Sequence, residues 1–343
     1  MKTKLLLTIF LLSISMASWS QEKTEEEKPK GKVTGKVFAN YHFDASSDEE
    51  QTSAFELTRA YLGYKYKFND KFSATILLDA GKGSGGSDYS VFIKNAKLDY
   101  KATKWLILSG GVIGMVHYKV QEKFWGYRYL YKSFADEHKF GSSADLGAMA
   151  AMKVAKGLTL DLLVVNGEGY KKLQDPKGKN RYGVNLVYKP NSNITLKAYY
   201  DTMKGIDVDD EDENTIVSNI AFFAGYNIKD KFRIGAEYNL LKVAETYKNA
   251  AKGKDLQGLS FYSTYVINEK WYVFGRYDDL SSNALDGETM DWNYSDDGST
   301  IIGGVEFKPT KNVNTSVNYR HTDYKDSARG EDSFVYFNLE FYF

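Results

Sequence analysis

The sequence contains no cysteine, which excludes a disulfide framework and thiolate metal sites. Proline is scarce, four in 343 residues, so long stretches run without the residue that most often interrupts a strand. No segment beyond the first twenty residues approaches the 18 consecutive apolar residues of a spanning helix. Net charge is missing as well, since Lys plus Arg and Asp plus Glu each number 45. That balance argues against a nucleic-acid partner, which requires a clustered basic surface.

The first residues carry an export signal. Lys2 and Lys4 form a charged start, Leu5 to Ala17 an apolar stretch too short to cross a bilayer, and Ser18-Trp19-Ser20 a small-residue cleavage site before Gln21. Residues 1–20 are expected to be a signal peptide, 21–31 a charged periplasmic lead-in, and 32–343 the folded unit. Losing Lys2 and Lys4 leaves 43 bases against 45 acids. An exported chain without a helical anchor is periplasmic, secreted, or a β-barrel in an outer membrane.

Composition and patterning favour the barrel. Mean hydropathy is negative, yet barrel strands escape hydropathy because their lumen faces are polar. Tyr (27), Phe (20) and Gly (29) are abundant, a strand-rich balance. The chain ends in FNLEFYF, where Phe337, Leu339, Phe341 and Phe343 alternate with Asn338, Glu340 and Tyr342. Such a period places one face in an apolar medium and the other in a polar one. Similar alternation recurs from residue 32 to the end and predicts about 16 strands, the even number typical of single-chain bacterial barrels. Connections alternate between short turns, such as Asn69-Asp70-Lys71 and Asn268-Glu269, and long polar loops, such as 44–53, 205–213 and 283–298. An outer-membrane barrel sorts its loops in this way.

Parity assigns the faces. Ile234, Ala236, Tyr238 and Leu240 oppose Arg233, Gly235, Glu237 and Asn239, and Val317 and Tyr319 oppose Asn318 and Arg320. The lumen is expected to receive Arg59, Lys65, Lys67, Lys97, Lys153, Arg181, Lys197, Arg233, Arg276 and Arg320. It is also expected to receive Asp79, Asp99, Asp161, Asp201, Glu237, Asp278, Glu306 and Glu340. Lys94 falls on the apolar parity, which a bulge or a position above the bilayer would explain. Aromatic pairs beside the short turns, Phe68 and Phe72, Tyr100 and Trp105, Tyr226 and Phe232, Tyr265 and Trp271, suit a membrane-interface girdle.

The third long connection, roughly 117–142, is bulky and aromatic. Folded into a wide lumen, it would pack Trp125 and Tyr127 on the inner wall and turn Arg128 and Lys132 to the channel. The alternative is an external loop used for subunit contact. Other chemistry is poorly supported. The only histidines are His42, His117, His138 and His321. His42 and His321 could lie near Asp44 and Asp323 at the rim, the beginnings of a triad without its nucleophile. The acidic stretches 207–214 and 291–297 lack the glycine and distal glutamate of a calcium loop. No metal, cofactor or catalytic residue is expected.

The segments FELTRAYLGYKYKFNDKFSATILLDAG (55–81), FWGYRYLYKSFADEHKFGSSADLGA (124–148) and VVNGEGY (164–170), with the aromatic terminus, make the chain similar to the phosphate-selective porin O and P family of Bacteroidetes-type bacteria. The resemblance implies an all-β transmembrane antiparallel barrel of 16 strands, a homotrimer, and a third extracellular loop folded inward as the constriction. It further implies lipid and lipopolysaccharide around the barrel, small hydrophilic solutes within it, and delivery to the barrel assembly machinery through the strand ending in Phe343. Bases and acids of comparable number across the lumen favour a weakly selective diffusion channel over a phosphate-selective one. A structural or accessory barrel of a larger secretion or uptake complex is the other reading.

Overall fold

A computed structural model describes residues 30–46, 52–83, 88–174, 178–207, 214–243, 249–250 and 253–343. The expected signal peptide, most of the lead-in and most of the acidic stretch 207–214 lie outside these residues. Sixteen long strands form the wall: β1 (Lys30–Asp44), β2 (Ser53–Lys67), β3 (Phe72–Lys82), β4 (Tyr89–Lys101), β5 (Leu106–Gly114), β6 (Ala144–Ala155), β7 (Leu158–Val165) and β8 (Arg181–Tyr188) make one half. The other half is β9 (Ile194–Asp207), β10 (Asn214–Ile228), β11 (Phe232–Lys242), β12 (Asp255–Val266), β13 (Trp271–Ser282), β14 (Gly298–Thr310), β15 (Val313–Tyr324) and β16 (Glu331–Tyr342). Each pairs antiparallel with its neighbours, and β1 pairs with β16 to close the cylinder. Asn249–Ala250 adds a two-residue parallel pairing to the end of β9.

Closure leaves no free edge strand at either end of the sheet, as a wall in lipid requires. The seam extends to the last residue: Gly35 and Phe343 exchange backbone hydrogen bonds of 3.0 Å in both directions. β1 begins at Lys30, two residues before the expected start, where Lys67 at the end of β2 supplies its partner.

The faces follow the sequence parity. Ile234, Phe261, Val317 and Phe337 are exposed on the outside, whereas Glu237, Asn239, Asn318 and Asn338 are buried on the inside. Bulges in β2 and β4, two of four register shifts among the described strands, keep this alternation in step. Thr58 is the extra residue where the β1–β2 register shifts, so Phe55 and Leu57 share the outer face with Ala60 and Leu62. Lys94 is the extra residue in β4, opposite Leu77 and Leu78, and it turns inward to within 3.3 Å of Asp79. A bulge, rather than a position above the bilayer, thus explains its parity.

The short turns share a device. Asn69, Asn191 and Asn268 each accept two backbone N–H groups, from the second and third residues on, at 2.8–3.0 Å. Asx turns of this kind let consecutive strands reverse in a few residues. Phe68, Trp105, Tyr265 and Trp271 are exposed at this end, and Phe72 stacks on Tyr100 with centroids 4.7 Å apart.

The outer face sets a depth-dependent test. Phe261→Lys, in the middle of β12, should destabilise the barrel in lipid by about 2–4 kcal/mol, and Thr202→Lys, beside native Lys204 near the long-loop end, by about 0–1 kcal/mol. Urea unfolding in phospholipid vesicles measures both. Equal losses would contradict the assigned depth.

Candidate functional site in the barrel interior

Between β5 and β6 the chain forms α1 (Lys119–Trp125) and α2 (Phe134–Glu137), joined by irregular backbone. α1 ends at Gly126, whose φ of 82° is left-handed. A Cβ there would meet the Arg233 guanidinium at 2.5 Å. Irregular backbone leaves carbonyls without partners of their own. Five consecutive strands supply them.

Lys197 of β9 donates to the His117 carbonyl, and Asn219 of β10 to that of Phe140 at 2.7 Å. Arg233 of β11 donates to the Trp125 carbonyl at 2.8 Å. The Tyr262 hydroxyl of β12 donates to Gln121 at 3.2 Å. Arg276 of β13 donates to Lys132 at 2.6 Å. On β14, Glu306 accepts the Tyr129 hydroxyl at 3.0 Å.

Apolar contacts lie between these anchors. Trp125, Tyr127 and Tyr129 pack with Phe38, Phe223, Tyr262, Phe274 and Ile302, with the Tyr127 and Phe274 rings 4.4 Å apart. Phe134 and Phe140 enter a nest of Met203, Val217, Leu241, Leu256 and Leu280. Gly258 lies directly beneath the Phe134 ring, where any Cβ would collide with it. Met115 and Val116 join Ile113, Leu163 and Val165.

The expected lining residues all project from the inner faces, but they fall into different settings. Arg276 makes a two-point contact with Asp278 at 2.8 and 2.6 Å and lies 5.1 Å from the rings of both Trp125 and Tyr131. Arg320 reaches the other side of this group, 4.8 Å from Tyr131 and 4.3 Å from Tyr336. Arg181 pairs with Asp201, and Glu237 accepts from Asn239 at 3.1 Å. Arg181, Lys197, Glu237 and Arg276 are buried. Arg59 and Lys97 stand apart on β2 and β4, paired with Asp79 at 3.1 Å and Asp99 at 2.7 Å.

Within the segment, Arg128 binds Glu122 at 3.1 Å and Asp136 at 3.3 Å, and Lys132 binds Glu137 at 3.2 Å. Arg128 and Lys132, expected to face the channel, border the long-loop hollow and are paired there with carboxylates of their own segment. Burial, with Lys197 and Arg181 close by, holds the His117 imidazole well below its ordinary pKa. Burial lowers His138 too. It would raise Glu137, but Lys132 and His138 outweigh it and hold that carboxyl low.

Parity reasoning missed the apolar nest. A trace of it was present: Ile216-Val217 and Leu240-Leu241 put apolar residues on both parities at the long-loop ends of β10 and β11. Also missed was a meeting of Asp79, Lys94 and Tyr170, whose hydroxyl donates to Asp79 at 2.7 Å.

Three hollows open around the segment. One of about 340 Å3 at the long-loop end is lined by eight bases, among them Arg59, Lys94, Arg128 and Lys171, against Asp136, Asp145, Glu168 and Asp201. Another, of about 1070 Å3 at the short-turn end, has Lys119, Lys123, Lys153, Lys156, Lys189 and Arg233 against Glu122 and Asp161. The third, about 640 Å3, carries Glu137, Asp278 and Asp296 beside Lys139 and Arg329.

The described residues weighed for calcium binding and for a triad make structural contacts. In 291–297, Asp297 is fully buried and accepts from the Ser282 hydroxyl at 2.6 Å and from Asn293 at 3.0 Å. Among the described residues no group of three His, Cys, Asp or Glu side chains is placed to hold a metal. His42 meets Asn40 at 2.9 Å. His321 meets Ser333 at 2.9 Å on the outer face, where that serine is buried and bonded to Tyr319 at 3.0 Å.

The fold recurs among solved outer-membrane proteins. OmpF of Salmonella typhi, solved with daunomycin, is 16% identical with a TM-score of 0.67, covering 93% of this chain and 100% of that one. The anion-selective porin of Comamonas acidovorans is 11% identical with a TM-score of 0.68, covering 92% and 100%. A trimer form of OmpT of Vibrio cholerae is 16% identical with a TM-score of 0.60, covering 92% and 100%. No curated protein matches the chain in sequence. Residues 143–338, more than half of the chain, match the family described as "Putative beta-barrel porin-2, OmpL-like". With its closed wall of sixteen antiparallel strands and its hollow polar interior, the chain belongs to this OmpL-like β-barrel porin family, a diffusion channel of the bacterial outer membrane.

Proposed function

We propose that segment 115–142 lies across the lumen as its constriction, and that solutes pass beside it along the wall from β2 to β8. The single observation that carries this reading is the row of five donors from β9 to β13, which holds the segment to one side. Sixteen strands enclose more space than side chains fill. The long-loop and short-turn hollows adjoin the opposite wall, and bases outnumber acids in each.

In the long-loop hollow five of the eight bases are paired: Arg59 and Lys94 with Asp79, Arg128 with Glu122 and Asp136, Lys132 with Glu137, and Arg181 with Asp201. A weak preference for small anions follows, since paired charges contribute little net field at a distance. The resemblance to the O and P porins extends, in this reading, to the inward third loop and not to phosphate selectivity. Export by residues 1–20 and assembly as a homotrimer complete the proposal. Lipopolysaccharide and lipid would surround the apolar face, and the barrel assembly machinery would receive the strand ending in Phe343.

Planar-bilayer recording tests the channel. Under a KCl gradient the zero-current potential should lie modestly on the anion side, and a barrel that never conducts would end the proposal. Gly258→Val should unseat Phe134, because overpacking a tight contact costs about 1–3 kcal/mol. The expected result is a larger and noisier single-channel conductance; an unchanged trace would place the constriction elsewhere.

Acid should loosen the segment. A histidine held neutral when docked titrates at about 6.5 when released, so below that value the released state binds more protons and docking weakens as pH falls. Glu137, held low when docked, acts in the same direction nearer the carboxylate range. Current noise at pH 5.5 should therefore exceed that at pH 7.5, and His117→Asn should reduce the difference between pH 7.5 and about 6, with His138 supplying the remainder. A pH-independent trace in the parent chain would disprove the coupling.

A further inference from the structure

A second connection also turns inward. Residues 166–174 follow β7, and their base is fixed to β6: Asn166 donates to the Leu146 carbonyl at 2.9 Å, and Tyr170 to the Ala144 carbonyl at 3.0 Å. Asp145, itself buried, accepts the Gly167 N–H at 2.8 Å. Gly167 and Gly169 have φ of 105° and 83°, left-handed values that only glycine adopts without strain. This tight turn aims Tyr170 across the interior at β3, 91 residues away in sequence.

Its target is Asp79, which has no exposed surface. That carboxylate takes the Tyr170 hydroxyl at 2.7 Å, Arg59 at 3.1 Å and Lys94 at 3.3 Å. Lys94 reaches it only because the β4 bulge reverses its facing. The Lys94 ammonium also lies 5.4 Å from the Tyr170 ring, and Phe92 meets that ring edge-on at 6.3 Å. One buried anion therefore fastens a loop and offsets two cations at the long-loop hollow.

We propose that Asp79 and Tyr170 form a latch in which Tyr170 sets the width of the long-loop entrance and Asp79 sets its charge preference. The inference rests on the diffusion-channel reading above. It makes Asp79 a specificity-determining residue, although that side chain touches no open solvent. Charge and width separate by mutation. Asp79→Asn keeps an oxygen for the Tyr170 hydroxyl and removes the negative charge. Tyr170→Phe removes the hydroxyl and leaves every charge in place.

In planar bilayers under a KCl gradient, Asp79→Asn should raise the chloride-to-potassium permeability ratio about twofold or more, as two uncompensated cations focus anions at the entrance. Tyr170→Phe should raise single-channel conductance and speed liposome swelling by larger neutral sugars, with the ratio unchanged. If Asp79→Asn fails to assemble, Arg59→Gln together with Asp79→Asn removes one charge of each sign, and its ratio should match the parent. An unshifted ratio in Asp79→Asn, a shifted one in the double variant, or unaltered conductance in Tyr170→Phe overturns the latch. A parent chain that passes no current would instead fail the channel reading itself.

Discussion

The interior depends on a single repeated interaction, a side-chain donor from the wall bonded to a backbone carbonyl of the segment between β5 and β6. A segment of short helices and irregular backbone packed against the wall must find partners for its polar groups, since an orphaned carbonyl costs as much as a lost hydrogen bond. Five neighbouring strands meet that demand with Lys197, Asn219, Arg233, Tyr262 and Arg276. Because the five strands are adjacent, the segment is drawn to one side. In the proposed constriction, this makes the lumen asymmetric.

Charge inside the barrel serves architecture as much as solute. Arg276 bonds to Asp278 and to a carbonyl, and lies against Trp125 and Tyr131. A planar guanidinium can satisfy all of these at once, whereas an ammonium could not. Removing one partner of such a group leaves an unpaired buried charge, a far larger penalty than the net worth of the pair. A lumen rich in bases can in this way remain only weakly selective.

Aromatic packing supplies what hydrogen bonds alone do not. Phe134 and Phe140 fill a nest contributed by β9 to β13, and fully burying one such ring contributes about 1.5–3 kcal/mol. The anchors give the segment a register, and the nest gives it depth. Gly258 and Gly126 mark where wall and segment approach too closely for a side chain on the facing backbone.

The sequence by itself determined the wall. Period-2 alternation, Asn-led short turns and long opposing loops specify sixteen strands, their faces and their order, because each is a local property of consecutive residues. The ending FNLEFYF was legible for the same reason, and so was the inward direction of Arg233 or Arg276. Lys94 was not, since a bulge is visible only as a slip between two strands. Nor were the partners: whether Arg276 faces water or a carbonyl 144 residues away depends on how a non-repeating segment settles across the cylinder. Tyr170 and Asp79 met for the same reason, through closure of the sheet. Alternation encodes which way a side chain points, and only the closed tertiary structure decided what it would find there.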